Sequence, residues 1–434
     1  MTEAAKKKYV IVGTGSRSKM FQKAITETYK STSVLIAVCD INLGRADLAA
    51  RACSHDGIAV EVYHSKDFDK MLQRHKPDVV VVCTRDKEHS EYICRSLEAG
   101  SDVITEKPMT IDEKKCQQII DTVRKTGKSV RVTFNYRYSP IRSQIKEILM
   151  RGEIGDIQSV IFQWNLDTKH GADYFRRWHR NKENSGGLLV HKATHHFDLV
   201  NWWIRSRPVA VASMGKRGYY VPAQADALGL NNPGQRCFDC ESKKICKFYL
   251  NLKDSNEMEQ LYLNNEKQDG YYRDKCVFST AIDIEDSANV MVKYENGVLL
   301  SYALTAFSPW EGYRIEFNGT RGRLEHKCIE SSYINGDGTI QGQINKNEST
   351  ITMYPHFASS YSIEVPDAKG GHGGGDDVML QDLFGIRQND PLERAADYVQ
   401  GAWSILTGIA ANRSVENGQF VSIDSLVDFS TKKS

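Results

Sequence analysis

Residues 186–198, GGLLVHKATHHFD, place three histidines, a lysine and an aspartate among apolar neighbours directly after two glycines. Imidazole titrates near neutral pH, and burial can bring a lysine there, so this crowd has the makings of a proton-transfer site. With a helix starting near Leu189, His191, His195 and Asp198 share one face, and Lys192 and His196 form an adjacent pair. Two histidines four apart also match a zinc-binding helix. Lys192, however, stands where such a helix carries its glutamate base, and an ammonium repels a dication. The expectation is acid–base chemistry by His191, Lys192 and His195, with a metal site or a purely structural cluster as alternatives.

Flanking segments add groups that could hold a substrate. HGADYFRRWHRNKENS, upstream, supplies Tyr174, Arg177, Trp178 and His179, and His196 is grouped with them. Aromatic rings stack on sugar faces, and guanidinium forks hydroxyls or a carboxylate. KGGHGGGDD, residues 369–377, surrounds His372 with glycines. It reads as a mobile loop carrying an imidazole over the substrate, followed by a helix capped by Asp376 or Asp377.

Two further patterns point to bound groups. Gly13-Thr14-Gly15-Ser16-Arg17-Ser18 follows an apolar run and opens a helix, so its backbone N–H groups can approach a pyrophosphate. Asp40 ends the next apolar run, where a carboxylate can accept from both adenosine ribose hydroxyls and repel a 2′-phosphate. That favours NAD over NADP, although Arg45 lies nearby. Cys237-x2-Cys240-x5-Cys246, with Cys276 beyond, has zinc-like spacing. A structural zinc would organise the polar segment 222–276, which has little core of its own. An iron–sulfur cluster or free thiols are the alternatives. The scattered Cys39, Cys53, Cys83, Cys94 and Cys116 read as small buried hydrophobes in a reducing compartment.

The elements that must position these groups fall into two halves. Residues 1–136 alternate short apolar runs (YVIV, VLIAVCD, IAVEVY at 58–63, VVVVCT, DVITEKP, VRVTFNY) with amphipathic helical stretches. Continuous apolar strands argue for a parallel sheet covered on both faces, a doubly wound Rossmann domain. Residues 137–434 begin with a helix near 141–151. They continue in alternating runs joined by glycine turns, including a hairpin at ENG, and carry a late helix at about 392–413. This predicts an α+β domain on a predominantly antiparallel open sheet, with 222–276 as an insertion.

Taken together, the GxGxxS loop, the acidic end of the second strand, Glu106-Lys107-Pro108 after the fifth, and GG…H…D in the second half resemble the Gfo/Idh/MocA family of nicotinamide-dependent sugar and polyol oxidoreductases. The resemblance covers most of the chain outside the cysteine-bearing insertion. It implies that Lys107 lies in the active site beside the nicotinamide and that His195 is the family's histidine. Gly13, Gly15, Ser16, Arg17, Asp40, Arg45, Thr84, His89, Glu106 and Lys107 are then the cofactor contacts. One departure is clear: His191 stands where the family has an aspartate, and Lys192 where it has an apolar residue. The implied activity is hydride transfer between a ring hydroxyl carbon of a sugar, glycoside or uronate and NAD. Lys107 or His195 would take the hydroxyl proton, Lys192 would lower the pKa of Lys107, and His191 would polarise an oxygen. A redox-neutral route that cleaves a glycoside by transient oxidation and elimination is the alternative. A metal-dependent hydrolase or a non-catalytic NAD sensor would belong to other classes. Relatives associate through the open sheet face, so a homodimer or homotetramer is expected.

A net charge of +2 over 434 residues offers no footprint for nucleic acid. The N-terminal MTEAAKKKYV lacks the apolar core of a secretion signal, and no run is long enough to span a bilayer, so a cytoplasmic protein is expected.

Overall fold

The computed structural model describes residues 6–54, 59–331, 340–386 and 389–430. The chain forms two compact units: Met1–Phe134 with Leu252–Tyr272 and Met379–Ala402, and Asn135–Asn251 with Arg273–Val378 and Trp403–Ser434. The first unit is thus not one continuous stretch. It recruits the middle of the expected insertion and a segment before the late helix.

In the first unit, β1 (Lys7–Val12), β2 (Ser33–Asp40), β3 (Glu61–His64), β4 (Val79–Val82), β5 (Asp102–Thr105) and β6 (Val130–Val132) lie in the order β3-β2-β1-β4-β5-β6. All pair in parallel, and the two-residue strand Ala396–Asp397 adds antiparallel to β6. All four valines of β4 are buried, as a strand covered on both faces requires. Ile58, where the third apolar run begins, lies outside the described residues. The strand order reverses between β1 and β4, and such a switch point opens a ligand crevice at the carboxyl ends of the strands. Gly13, Asp40 and Glu106-Lys107 stand at three of those ends. Phe384 closes the core from the recruited segment, its ring 5.2 Å from Tyr9 and 6.4 Å from Phe21.

The second unit is built on a sheet of β7 (Ile157–Asp167), β8 (Pro208–Lys216), β9 (Ser287–Tyr294), β10 (Leu299–Ser308), β11 (Glu311–Gly319), β12 (Gly322–Glu330), β13 (Thr350–Pro355) and β14 (Tyr361–Ile363). Their order is β14-β13-β12-β11-β7-β10-β9-β8, with Val421–Ser422 at the edge. Every pairing is antiparallel except β7 with β10, so the sheet is mixed. The ENG turn joins β9 to β10 with Gly297 at φ +89°. The sheet is packed by α1 (Pro140–Met150), α2 (Thr168–Arg176) and α3 (Ala193–Ile204): α2 lies on β7 and β10, Phe162 of β7 meets His196 and Trp203 of α3, and Arg142 of α1 reaches Tyr313 of β11. Its open face exposes Ile161, Met214, Met291 and Leu299. The late helix, α4 (Tyr398–Asn417), starts later than expected because Asp397 closes the preceding strand and accepts the Val399 N–H at 2.7 Å. No helix among the described residues is long and apolar enough to cross a membrane.

Candidate functional site

The phosphate loop of the first unit has the backbone a dinucleotide needs. Gly13 has φ +86°, and a Cβ there would lie 2.5 Å from the Cys83 carbonyl carbon, so no other residue fits. Ser18, in place of a third glycine, is fully buried and turns its hydroxyl onto Gly15 O at 2.7 Å. The chain then enters a helical segment, and the start of such a segment offers backbone N–H groups to an anion. These features fit a nicotinamide dinucleotide, whose diphosphate Gly15, Ser16 and Arg17 would hold.

Several of the expected contacts already have partners. Asp40 Oδ2 accepts the Thr14 N–H and hydroxyl at 2.7 and 2.9 Å; Oδ1 accepts the Asn42 N–H at 2.8 Å and Arg45 Nη2 at 3.3 Å. The carboxylate is 6% exposed and its acceptor sites are filled, so it braces the loop rather than waiting for a ribose. Arg45 is clamped between Asp40 and Asp269. Burial works against its charge, and the two carboxylates outweigh burial. Its Nη1 is buried without a hydrogen-bond partner. Arg17 Nε pairs with Glu106 at 2.8 Å, and the arginine side chain is 31% exposed. His89 is 1% exposed and spans Pro108 O at 2.8 Å and Thr84 O at 3.2 Å. It is a brace between two loops, which corrects its expected cofactor role, and burial holds its pKa down against those carbonyls. Thr84 places its own hydroxyl 3.4 Å from Arg85 O. Lys107 is half-buried beyond β5, at a cis peptide to Pro108.

The recruited segment Leu252–Tyr272 covers this loop, which the sequence did not foretell. Tyr262 OH accepts the Ser16 N–H at 3.1 Å, and Glu257 accepts the Ser16 hydroxyl at 2.8 Å and pairs with Lys19 at 3.2 Å. Gln268 accepts the Gly44 N–H at 2.9 Å, and Asn42 donates to Asn265 O at 2.8 Å. The donors a diphosphate would use therefore face a phenol and a carboxylate from the strap. Its polar, irregular composition carried no signal of this.

In the second unit the 186–198 stretch folds as two helical pieces, Leu188–His191 and α3, broken at Lys192. Gly186 and Gly187 both have positive φ and set the entry. Lys192 is 4% exposed, and its Nζ lies 3.2 Å from Tyr136 OH and 5.1 Å from the centre of the Trp164 ring. Burial lowers its pKa; Glu311 and Glu330 oppose this, and Arg142 adds to it. His195 stacks on Tyr136 at 4.1 Å between ring centres. Arg142, buried and ion-paired with Glu330, lies over the same ring at 4.1 Å. Tyr136 comes from Asn135–Tyr138, a 3-10 turn where a strand was expected to continue.

His191 packs against His179 at 4.1 Å and near Tyr174 at 5.6 Å, and His179 stacks on Trp178 at 3.6 Å. Tyr174 OH lies 3.1 Å from His170 Nε2, and His170 Nδ1 lies 2.9 Å from Glu311. A carboxylate at Nδ1 fixes the proton there, leaving Nε2 to accept from the phenol, a relay that polarises Tyr174. The i, i+4 spacing of His170 and Tyr174 was the available clue; Glu311 is too distant in sequence to have been paired with them.

Other expectations change. His196 is fully buried, stacked on Trp164 at 3.8 Å and bonded to Tyr302 OH at 2.6 Å, so it is a core residue and not a substrate contact. Asp198 forms a two-point pair with Arg137 at 2.5 and 2.7 Å, both residues almost fully buried. Arg177 shares Asp173 with Arg273, which reduces its availability to an anionic sugar. His372 is 6% exposed at φ +50°, held by Asp376 at 2.8 Å, with Asn135 on the other oxygen of that carboxylate. Asp376 is thus a brace for His372 rather than a simple helix cap. Cys237, Cys240, Cys246 and Cys276 line one cavity, yet no group of three or more ligand-type side chains among the described residues is placed to hold a single ion. The same holds for the histidines of 186–198, and the expected single zinc finds no such geometry at the cysteines.

Comparison with known proteins accords with this architecture. Residues 7–134 match the model of an oxidoreductase family NAD-binding Rossmann fold, and residues 146–423 match that of the family's C-terminal α/β domain. The chain is 38% identical over 426 residues to a putative oxidoreductase, YteT, of Bacillus subtilis, covering 94% of this chain and 96% of that one. It is 28% identical to an inositol 2-dehydrogenase/D-chiro-inositol 3-dehydrogenase of Lactiplantibacillus plantarum, over 47% of this chain and 54% of that one. It is 33% identical to a D-glucoside 3-dehydrogenase of Escherichia coli, over 28% of this chain and 33% of that one. Among solved structures, aldose-aldose oxidoreductase from Caulobacter crescentus shares the fold at 15% identity and TM-score 0.62, covering 96% of this chain and all of that one. With both units matched in this way, the chain belongs to the Gfo/Idh/MocA family of oxidoreductases.

Proposed function

We propose that this protein is an NAD-dependent dehydrogenase acting on a ring hydroxyl of a sugar, polyol or glycoside. The observation that carries the reading is Lys192, a buried amine whose charge is disfavoured, beside the hydroxyl of Tyr136 in a cluster of imidazole and phenol groups. A neutral amine accepts the hydroxyl proton as the carbon is oxidised, and returns it in the reverse direction. Bound NAD supplies the hydride acceptor. Tyr136 orients the amine; His195 packs on Tyr136 and holds it in place. Tyr174, polarised through His170 and Glu311, serves a neighbouring hydroxyl. Lys107 contributes at the end of β5. The inositol and glucoside dehydrogenases among the relatives support a polyhydroxylated substrate. NAD is the preferred reading because Arg45, a cation that could meet a 2′-phosphate, is paired with Asp40 and Asp269.

The test is a panel of inositols, aldohexoses, uronates and glucosides, with reduced nicotinamide as the readout. Reduction of NAD by at least one ring polyol, lost in Lys192→Met, is the expected result. Free sugar released from glycosides without reduced cofactor would replace the dehydrogenase with the elimination route. Absence of dinucleotide binding would overturn the proposal.

A further inference from the structure

We propose that Cys237, Cys240, Cys246 and Cys276 are the ligands of one tetrathiolate metal centre. The four residues come from two separate stretches, and the backbone brings the stretches together. Cys237 N–H donates to Asp274 O at 2.8 Å, Cys276 N–H donates to Gln235 O at 2.9 Å, and Arg236 and Lys275 form an antiparallel bridge. All four cysteines are free and line a single cavity with Leu230, Phe248 and Phe278. A cluster of reduced thiols around an apolar cavity contributes little to folding by itself; closed on a metal, it becomes the core of this segment.

The charge around the cavity points the same way. Arg176 is 1% exposed, with Nη1 3.9 Å from Cys237 Sγ and Nη2 donating to Phe248 O at 3.1 Å. Its Nε is buried without a hydrogen-bond partner, and the nearest carboxylate, Asp173 at 3.9 Å, also serves Arg177 and Arg273. Arg180 is 5% exposed and donates to Cys276 O at 3.3 Å. Gly234 N–H points at Cys240 Sγ at 3.3 Å. Guanidinium groups withdrawn from water beside neutral thiols are poorly compensated. Beside a centre of four thiolates, which carries net negative charge, they and the amide are matched.

The spacing bears on which metal. One zinc would hold its four sulfurs at about 2.3 Å, hence within about 4 Å of one another. No three ligand-type side chains among the described residues are so placed, and the four cysteines line one cavity. An iron–sulfur cluster, in which the thiolates bind different irons, does not require the four sulfurs to share one ion, and it is the centre we assign. The chain passes from Cys246 out to Leu252–Tyr272 in the nucleotide-binding unit and returns to Cys276. The centre therefore ties together the two roots of the strap that carries Glu257, Tyr262 and Asp269.

The experiment is elemental analysis of the full chain purified without oxygen or chelator, with acid-labile sulfide, visible absorption and thiol titration. Iron and sulfide in stoichiometric amount, with visible absorption lost in Cys240→Ser and Cys276→Ser, is expected. Should those variants fail to fold, metal stripped from the native protein and restored as ferrous iron with sulfide, or as zinc, gives the same answer by uptake. Stoichiometric zinc without sulfide would keep the four ligands and overturn the cluster. Four titratable thiols, no metal and no uptake would overturn the centre altogether.

Discussion

Replacing Tyr262 with phenylalanine is expected to tighten NAD binding. The Ser16 N–H, one of the donors a diphosphate needs, is held by the Tyr262 hydroxyl at 3.1 Å. An ordinary hydrogen bond of this kind is worth about 0.5–1.5 kcal/mol net. A ligand that must break it gains up to that amount when it is absent, roughly 2- to 13-fold in Kd. Phenylalanine keeps the ring against Tyr271, 5.9 Å away, so the strap should stay packed. The Glu257–Lys19 pair beside it has side chains 39% and 48% exposed, so breaking that pair contributes little. Calorimetric titration of NAD into wild type and Tyr262→Phe at one salt concentration reads the change directly. Unchanged binding in the variant would refute the competition, and weaker binding would also make the hydroxyl a cofactor ligand.

Lys192→Met should lower kcat by about 10²- to 10⁴-fold, the usual worth of a positioned acid or base, and steady-state kinetics checks it. Because the folded pKa of Lys192 lies below the unfolded 10.5, the unfolded chain binds more protons between those two values. Stability therefore rises with pH across that window and is lost as pH falls through the folded value; denaturant titrations of Lys192→Met should lack this dependence. Asp269→Asn removes one of the two carboxylates on Arg45 and should shift preference toward NADP by about tenfold, the ~1.5 kcal/mol of a charge-assisted bond, seen as a ratio of kcat/KM values. Arg137→Ala strands the Asp198 carboxylate in the core and should cost about 3–5 kcal/mol in chemical denaturation. If the open sheet face is covered in an oligomer, Met291→Lys should shift light-scattering mass toward the monomer, because Met291 is 56% exposed on that face.

Local pattern determined much of this protein. The apolar runs and the turns between them point to a parallel Rossmann sheet and a predominantly antiparallel open sheet, because burial on both faces or on one leaves a periodicity within a few residues; the one parallel pair, β7 with β10, appears only in the structure. Gly13 was legible for the same reason: the turn it makes depends on its own φ and on a strand next to it. Lys192 and His195 stood out as polar groups in an apolar helix. Partnership could not be read. Asp40 reads as a ribose ligand from its place at the end of a strand, and only the folded chain shows Thr14, Asn42 and Arg45 on its oxygens. His196 reads from the sequence as a substrate contact, and only the fold encloses it between Trp164 of β7 and Tyr302 of β10. The strap Leu252–Tyr272 had no periodic signal at all, because its structure comes from the phosphate loop it covers. The sequence thus determines which groups are available and which elements carry them. Which carboxylate, phenol or imidazole each one faces depends on contacts that local periodicity does not carry, many between residues tens to hundreds of positions apart, and those are set by tertiary packing.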